Sequence, residues 1–292
     1  MARFVEVAKN RGVDSWKPRE EWMMVPQGGS NLVCLQDGAG FSVQEKPAKK
    51  PKLDIVELKS SDALGAVGSD YGRLQAGSRI FKVTPKPKID RETWIEATAK
   101  GKDPASIHAV IHGRLDFKVA FFFLQDKGAK GPRSKYGPNE VDGWIGRLNN
   151  IYGLQANMWF SKASADPLPL DGLSETFGSE DDLKKIQGQM ASGDVISVFL
   201  AGEKIVTREK DYPLGFFDVN TKLIVVRDQD ESKNTLKTIA HEIGHHRYDK
   251  RDLPGDPHEG YKKNGYEHDL FHTMDGDDVK IPMQRVQDMN PV

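Results

Sequence analysis

Residues 237 to 249, KTIAHEIGHHRYD, bring His241, Glu242, His245 and His246 within six positions of a 292-residue chain that has eight histidines. A His-Glu-any-any-His pattern arises by chance in about one chain in a hundred of this make-up, so it weighs against an ordinary polar helix face. The surrounding residues predict a helix. Leu236, Ile239, Ala240 and Ile243 recur at helical spacing, and Ser232 or Asn234 can cap the start. His241 and His245 are four apart, so both imidazoles project from one side, about one turn from each other. Glu242 is rotated about a third of a turn away, too far to join them easily as a ligand but able to reach a water held between them.

These residue types suit a hydrolytic metal centre. Zinc takes neutral imidazole nitrogens, and a catalytic site uses three protein ligands and keeps one position open for water. A carboxylate beside that position can take a proton from the water and hand it on. Two histidines leave a third ligand to be found elsewhere in the chain.

HEIGHH after a run of strands, followed by another histidine and a methionine-containing turn, resembles the metzincin zinc metallopeptidases. The resemblance covers roughly residues 114 to 292. It implies one Zn2+ held by His241, His245 and a third ligand, Glu242 as general base, and a peptide or protein as substrate. The longer family signature has Gly three residues after the second His and a third His three further on; here those places hold Tyr248 and Arg251. The third ligand is therefore expected at His258, where Pro254, Gly255 and Pro257 end the helix and turn the chain back, with Glu259, Glu267, His268, Asp269 and His272 as competitors. The family's methionine turn is matched by Met274 in HTMDG, or by Phe271 in another register. Its substrate-pairing edge strand corresponds to 214–219, with Gly215 and Phe216 as substrate-binding residues. Alternatively, Gly215 merely follows Pro213 in a turn.

Upstream, LDFKVAFFFL (115 to 124), QANMWFS (155 to 161), DVISVFLA and the two runs of LGFFDVNTKLIVVRD read as strands. PNEVDGWIGRLNNIY and SEDDLKKIQGQM read as helices, the second with a cap and an acidic first turn. Before residue 114 the pattern changes to short strand-like runs: NLVCLQ, LDIVELK, RIFKVTPK, ETWIEATA and SIHAVIHG, separated by turn residues. The expected fold class is α+β. An all-β, sandwich-like accessory domain (1–113) precedes a metzincin-like catalytic domain (114–292) with a mixed twisted sheet and the HExxH helix. EKPAKKPK (45 to 52) reads as a solvated linker. His108 and His112 would share a strand face about 13 Å apart, too far for one ion, so both read as structural.

A net charge of −1 gives no reason to expect nucleic acid, and no apolar run reaches membrane-spanning length. The single Cys34 excludes an internal disulfide, and the first residues lack the apolar core of a signal peptide. Synthesis in the cytoplasm is expected, with any secretion by a signal-independent route. A disulfide-free β module joined to such a peptidase resembles the cargo of bacterial contractile injection machines. That likeness implies a toxin or effector with a delivery or inhibitory partner protein. The contrasting expectation is a docking protein on a peptidase-like fold, with structural zinc or none. Glu242 separates the two, since a structural site has no use for a general base.

Overall fold

In the computed structural model, the described residues are 1–7, 13–14, 21–46, 51–59, 61–63, 77–87, 92–127, 131–174, 177–202, 214–218 and 221–248. They form a mixed α and β structure with three sheets and few helices. Packing divides them into two units. One comprises Met1–Leu115 and Ile151–Met158; the other comprises Asp116–Asn150 and the described residues from Trp159 onward. Residues 151–158 thus group with the residues before 116, so the two units interleave along the chain.

The first unit contains two sheets. The four-stranded sheet runs in the order β1 (Arg3–Val5), β4 (Asn31–Gln36), β7 (Arg79–Pro85), β6 (Leu53–Glu57). The five-stranded sheet runs β2 (Val13–Asp14), β3 (Trp22–Pro26), β9 (Ala105–His112), β8 (Thr93–Thr98), β5 (Ser42–Lys46). Phe4, Val33, Leu35 and Phe81 of the first sheet share one core with Met23, Val25, Ile95, Ile107 and Ile111 of the second, which makes a sandwich. Alternation along the strands produces this: in β8, Thr93, Ile95 and Ala97 are buried while Trp94 is exposed. β3 and β9 pair in parallel, a contact that local sequence cannot announce. The Arg79 guanidinium binds Glu57 from β7 to β6, holding that carboxyl below its usual range, and donates to Gly38 O at 3.0 Å.

The second unit is built on a five-stranded sheet ordered β11 (Met158–Leu170), β10 (Leu115–Asp126), β12 (Val195–Leu200), β14 (Leu223–Val226), β13 (Gly215–Asp218). β10, β12 and β14 are parallel, and β13 runs antiparallel to β14. The central strands β12 and β14 are near-continuous apolar runs, interrupted by Ser197, as strands buried on both faces tend to be. Helices α1 (Val141–Leu148), α3 (Glu180–Gln187) and α4 (Ser232–Tyr248) belong to this unit, and the short α2 (Leu154–Ala156) to the first. Gln155 and Ala156, expected to open a strand, are helical. The left-handed Asn157 (φ 51°) turns the chain into β11 at Met158. Ser179 caps α3 by accepting from the Asp182 N–H at 3.2 Å. Burial alone would raise the Asp182 carboxyl, but N–H groups of Ser174 and Gly178 and the Ser179 hydroxyl outweigh it and hold that group below its usual range. Among the described residues no helix is long and apolar enough to cross a membrane.

Candidate metal centre

Helix α4 is anchored at its first turn, well ahead of His241. Trp144 of α1, itself buried, donates from Nε1 to Ser232 Oγ at 2.8 Å. The preceding Gln229 donates from its backbone N–H to Thr235 Oγ1 at 2.9 Å and from Nε2 to Thr238 Oγ1 at 2.7 Å. The Tyr136 hydroxyl donates to Gln229 O. One residue earlier, Asp228 is buried and accepts from Ser134 Oγ at 3.0 Å and from the Lys135 N–H at 2.6 Å. Burial pushes its carboxyl up in spite of these donors. The helix entry is thus fixed by partners about 90 residues away in sequence, and local pattern gave no sign of them.

Down the helix, Leu236, Ile239, Ala240 and Ile243 are buried, as their spacing predicts. His241 and His245 lie one turn apart, with Nε2 atoms 3.0 Å from each other and rings edge to face at 4.6 Å between centroids. Glu242 and His245 are buried and His241 is partly exposed. Two nitrogens on one tetrahedral zinc with Zn–N bonds of about 2.0–2.1 Å stand about 3.3 Å apart, so the converging pair fits two ligand positions. His246 points elsewhere: its ring packs on Phe217 of β13 at 5.3 Å between centroids.

Gly215, the first residue of β13, lies against the same helix turn. A Cβ there would stand 2.7 Å from Thr238 Cγ2, 3.1 Å from Val225 O and 3.2 Å from Glu242 Cγ. The close approach that this glycine permits in the structure is that of α4. It is a strand residue paired with Val226, and Phe216 is paired with Val225.

Among the described residues, no group of three or more His, Cys, Asp or Glu side chains gathers at one point. His258, its competitors Glu259, Glu267, His268, Asp269 and His272, the turn residues Phe271 and Met274, and the Tyr248 side chain and Arg251 of the signature comparison all lie outside the described residues. The same holds for residues 47–50 of the lysine-proline stretch, whose first two residues, Glu45 and Lys46, belong to β5. His108 and His112 sit on one face of β9 in separate surroundings: His108 between Trp22 and Trp94, His112 fully buried.

No protein-family model matches this chain, and no curated protein matches it. Among solved structures it is similar to a zinc-dependent peptidase from Methanocorpusculum labreanum (strain Z), at 11% identity and a TM-score of 0.34, over 59% of this chain and 93% of that one. It is also similar to domains 1–6 of the surface layer protein SbsC (11% identity, TM-score 0.20, 32% of this chain and 12% of that one). The tandem Ig repeats of Dlar align at 10% identity and a TM-score of 0.21, over 42% of this chain and 59% of that one. Likenesses of this order carry no argument about fold or activity.

Proposed function

We propose that the protein is a zinc-dependent peptidase in which His241 and His245 hold the metal, a third ligand comes from the segment after Tyr248, with His258 the expected one, and Glu242 is the general base. The observation that supports this most is the convergence of two imidazole Nε2 atoms to 3.0 Å on a helix whose intervening glutamate is buried beside them. A Zn2+ bound there would supply Lewis acidity and bring the pKa of water towards neutrality. Glu242 would take the proton of the attacking water and deliver it to the leaving amine nitrogen, so that one carboxyl serves as base and then as acid. Burial of its stem against Gly215 restricts where that carboxylate can swing.

β13 ends the sheet order among the described residues. In this reading an extended peptide pairs with its free edge near Gly215 and Phe216, where main-chain hydrogen bonds supply the affinity.

The test is Glu242→Gln in the full chain, with bound zinc read by atomic emission and cleavage by release from a fluorescent casein. Unchanged zinc with turnover lower by about a hundredfold or more is expected for loss of a general base. A Glu242→Gln protein that cleaves at the wild-type rate would remove the role, and one that loses its zinc would make Glu242 a ligand instead.

A further inference from the structure

The outer face of the five-stranded sheet in the first unit carries a row of side chains that the peptidase reading does not use. Lys46 of β5 is paired with Trp94 of β8, Trp94 with His108 of β9, and His108 with Trp22 of β3, so the four stand side by side across four strands. The adjacent row is Gln44, Glu96 and Ser106. Trp94 and His108 stack at 4.5 Å and 7° between planes, and Trp22 packs on the other side of His108 at 4.0 Å. Glu92 Oε2 holds His108 Nε2 at 3.0 Å. At the far end of the same face Met24, Val110 and His112 are buried. At this end Trp94 keeps 44% of its surface exposed, beside a depression of about 580 Å3 lined by Lys46, Trp94, Glu96 and Ser106.

We infer that this depression is a saccharide-binding site that takes a neutral sugar, with the free face of Trp94 as its platform. An exposed indole held in one orientation by a ring stack can be covered at little entropic cost, and it favours a partner with an apolar face. The rim demands the opposite character. Lys46 and Glu96 are ion-paired, so among the described residues the lining offers both donors and acceptors with their charges balanced, and Ser106 adds a hydroxyl. A pyranose meets both conditions at once, with C–H groups on its ring faces and hydroxyls around its edge. Among the described lining residues a phosphate-bearing chain would meet no excess positive charge, and a purely apolar segment would leave the ion pair desolvated without partners. The volume lies within the roughly 300–1,000 Å3 of small-ligand sites.

The experiment uses the full chain and titrates it by isothermal calorimetry with cellohexaose, chitohexaose and mannohexaose, with heparin hexasaccharide and a tryptophan-containing decapeptide as contrasting probes. At least one neutral oligosaccharide should bind, Trp94→Ala should weaken that binding about tenfold or more, and Trp94→Tyr should retain most of it. Glu96→Gln, which breaks the ion pair without altering shape, should weaken it severalfold. Circular dichroism and Tm establish that the variants are folded, and Trp94→Tyr and Glu96→Gln carry the test if Trp94→Ala is not. No binding of any neutral probe at millimolar concentration overturns the inference. So does neutral binding that survives Trp94→Ala, or that is unmoved in both Trp94→Tyr and Glu96→Gln where Trp94→Ala does not fold. Binding of heparin or the peptide alone overturns it as well.

Discussion

Gly215 and Glu242 touch across the join of β13 and α4: a Cβ added to the glycine would come within 3.2 Å of Glu242 Cγ. The same Cβ would overlap Thr238 Cγ2 at 2.7 Å, so the helix and the strand are spaced by the absence of a side chain. The positions of β13 and Glu242 are therefore set by one packing contact.

Gly215→Ala should accordingly cost about 1–3 kcal/mol, because neither the β-branched Thr238 nor the Val225 carbonyl can retreat easily. Activity measured well below the Tm should fall further than the fraction unfolded accounts for, since Glu242 must shift. Thermal unfolding and casein cleavage on the same samples check this. A Tm and rate equal to wild type would mean that β13 moves freely against α4.

Zinc content should separate the histidines. His241→Ala and His245→Ala should each lose the metal. His246→Ala should keep it, because that ring packs on Phe217 and not towards the converging pair. His258→Ala should lose it if the chain turns back after Pro254. Should His258→Ala keep zinc while Glu267→Ala or His268→Ala releases it, the third ligand lies further along the chain.

Asp182 gives a pH signature. Its folded pKa is depressed, so it contributes stability above the unfolded carboxylate value of about 3.9, and that contribution is lost as pH falls through the lower folded value. Asp182→Asn should therefore be less stable than wild type at pH 7, by about 1–2 kcal/mol from the weakened cap and loop bonds. The two unfolding curves should converge as pH falls through the folded value. Denaturant titrations at pH 7, 5 and 3 would show it, and a gap that stays constant with pH would exclude the carboxylate as its source.

A fragment starting at residue 114 keeps α4 but loses the sandwich residues that group with Ile151–Met158. Tyr152, Gln155, Ala156 and Met158, all buried in the whole chain, would then meet water. The fragment should elute as aggregate in size-exclusion chromatography, whereas the full chain elutes as a single species. A monomeric, zinc-loaded fragment would show that the returning turn is dispensable.

Much of this was legible in the sequence because it is local. The apolar runs of β10 and β12, the Ser179 cap and the spacing of Leu236, Ile239 and Ile243 all act within a few residues of themselves. The facing pair His241 and His245 follows from helical geometry alone. What escaped is held by distant partners. The Trp144 bond to Ser232 spans 88 positions, and the Ser134 bond to Asp228 spans 94. The Lys46, Trp94, His108 and Trp22 row exists only once three strand registers are set, and a single-residue slip in any of them would send a side chain to the opposite face. Asn157 is a smaller case: its left-handed backbone delays β11 in a stretch whose alternation reads as strand throughout.

The interleaving of the two units imposes an order on synthesis. Asn157 Nδ2 donates to His112 O at 3.0 Å, and α2 packs against β3, so the sandwich is closed by residues made after much of the second unit's first strand and helix. At about 5–20 residues per second, the ribosome delivers Met158 roughly two to nine seconds after Leu115. During that interval His112 O and β3 lack these partners, and β10, which is strongly apolar, has no parallel neighbour until β12 arrives. The chain is therefore most exposed to misassembly while it is being made, and a chaperone that engages it should do so between these two points.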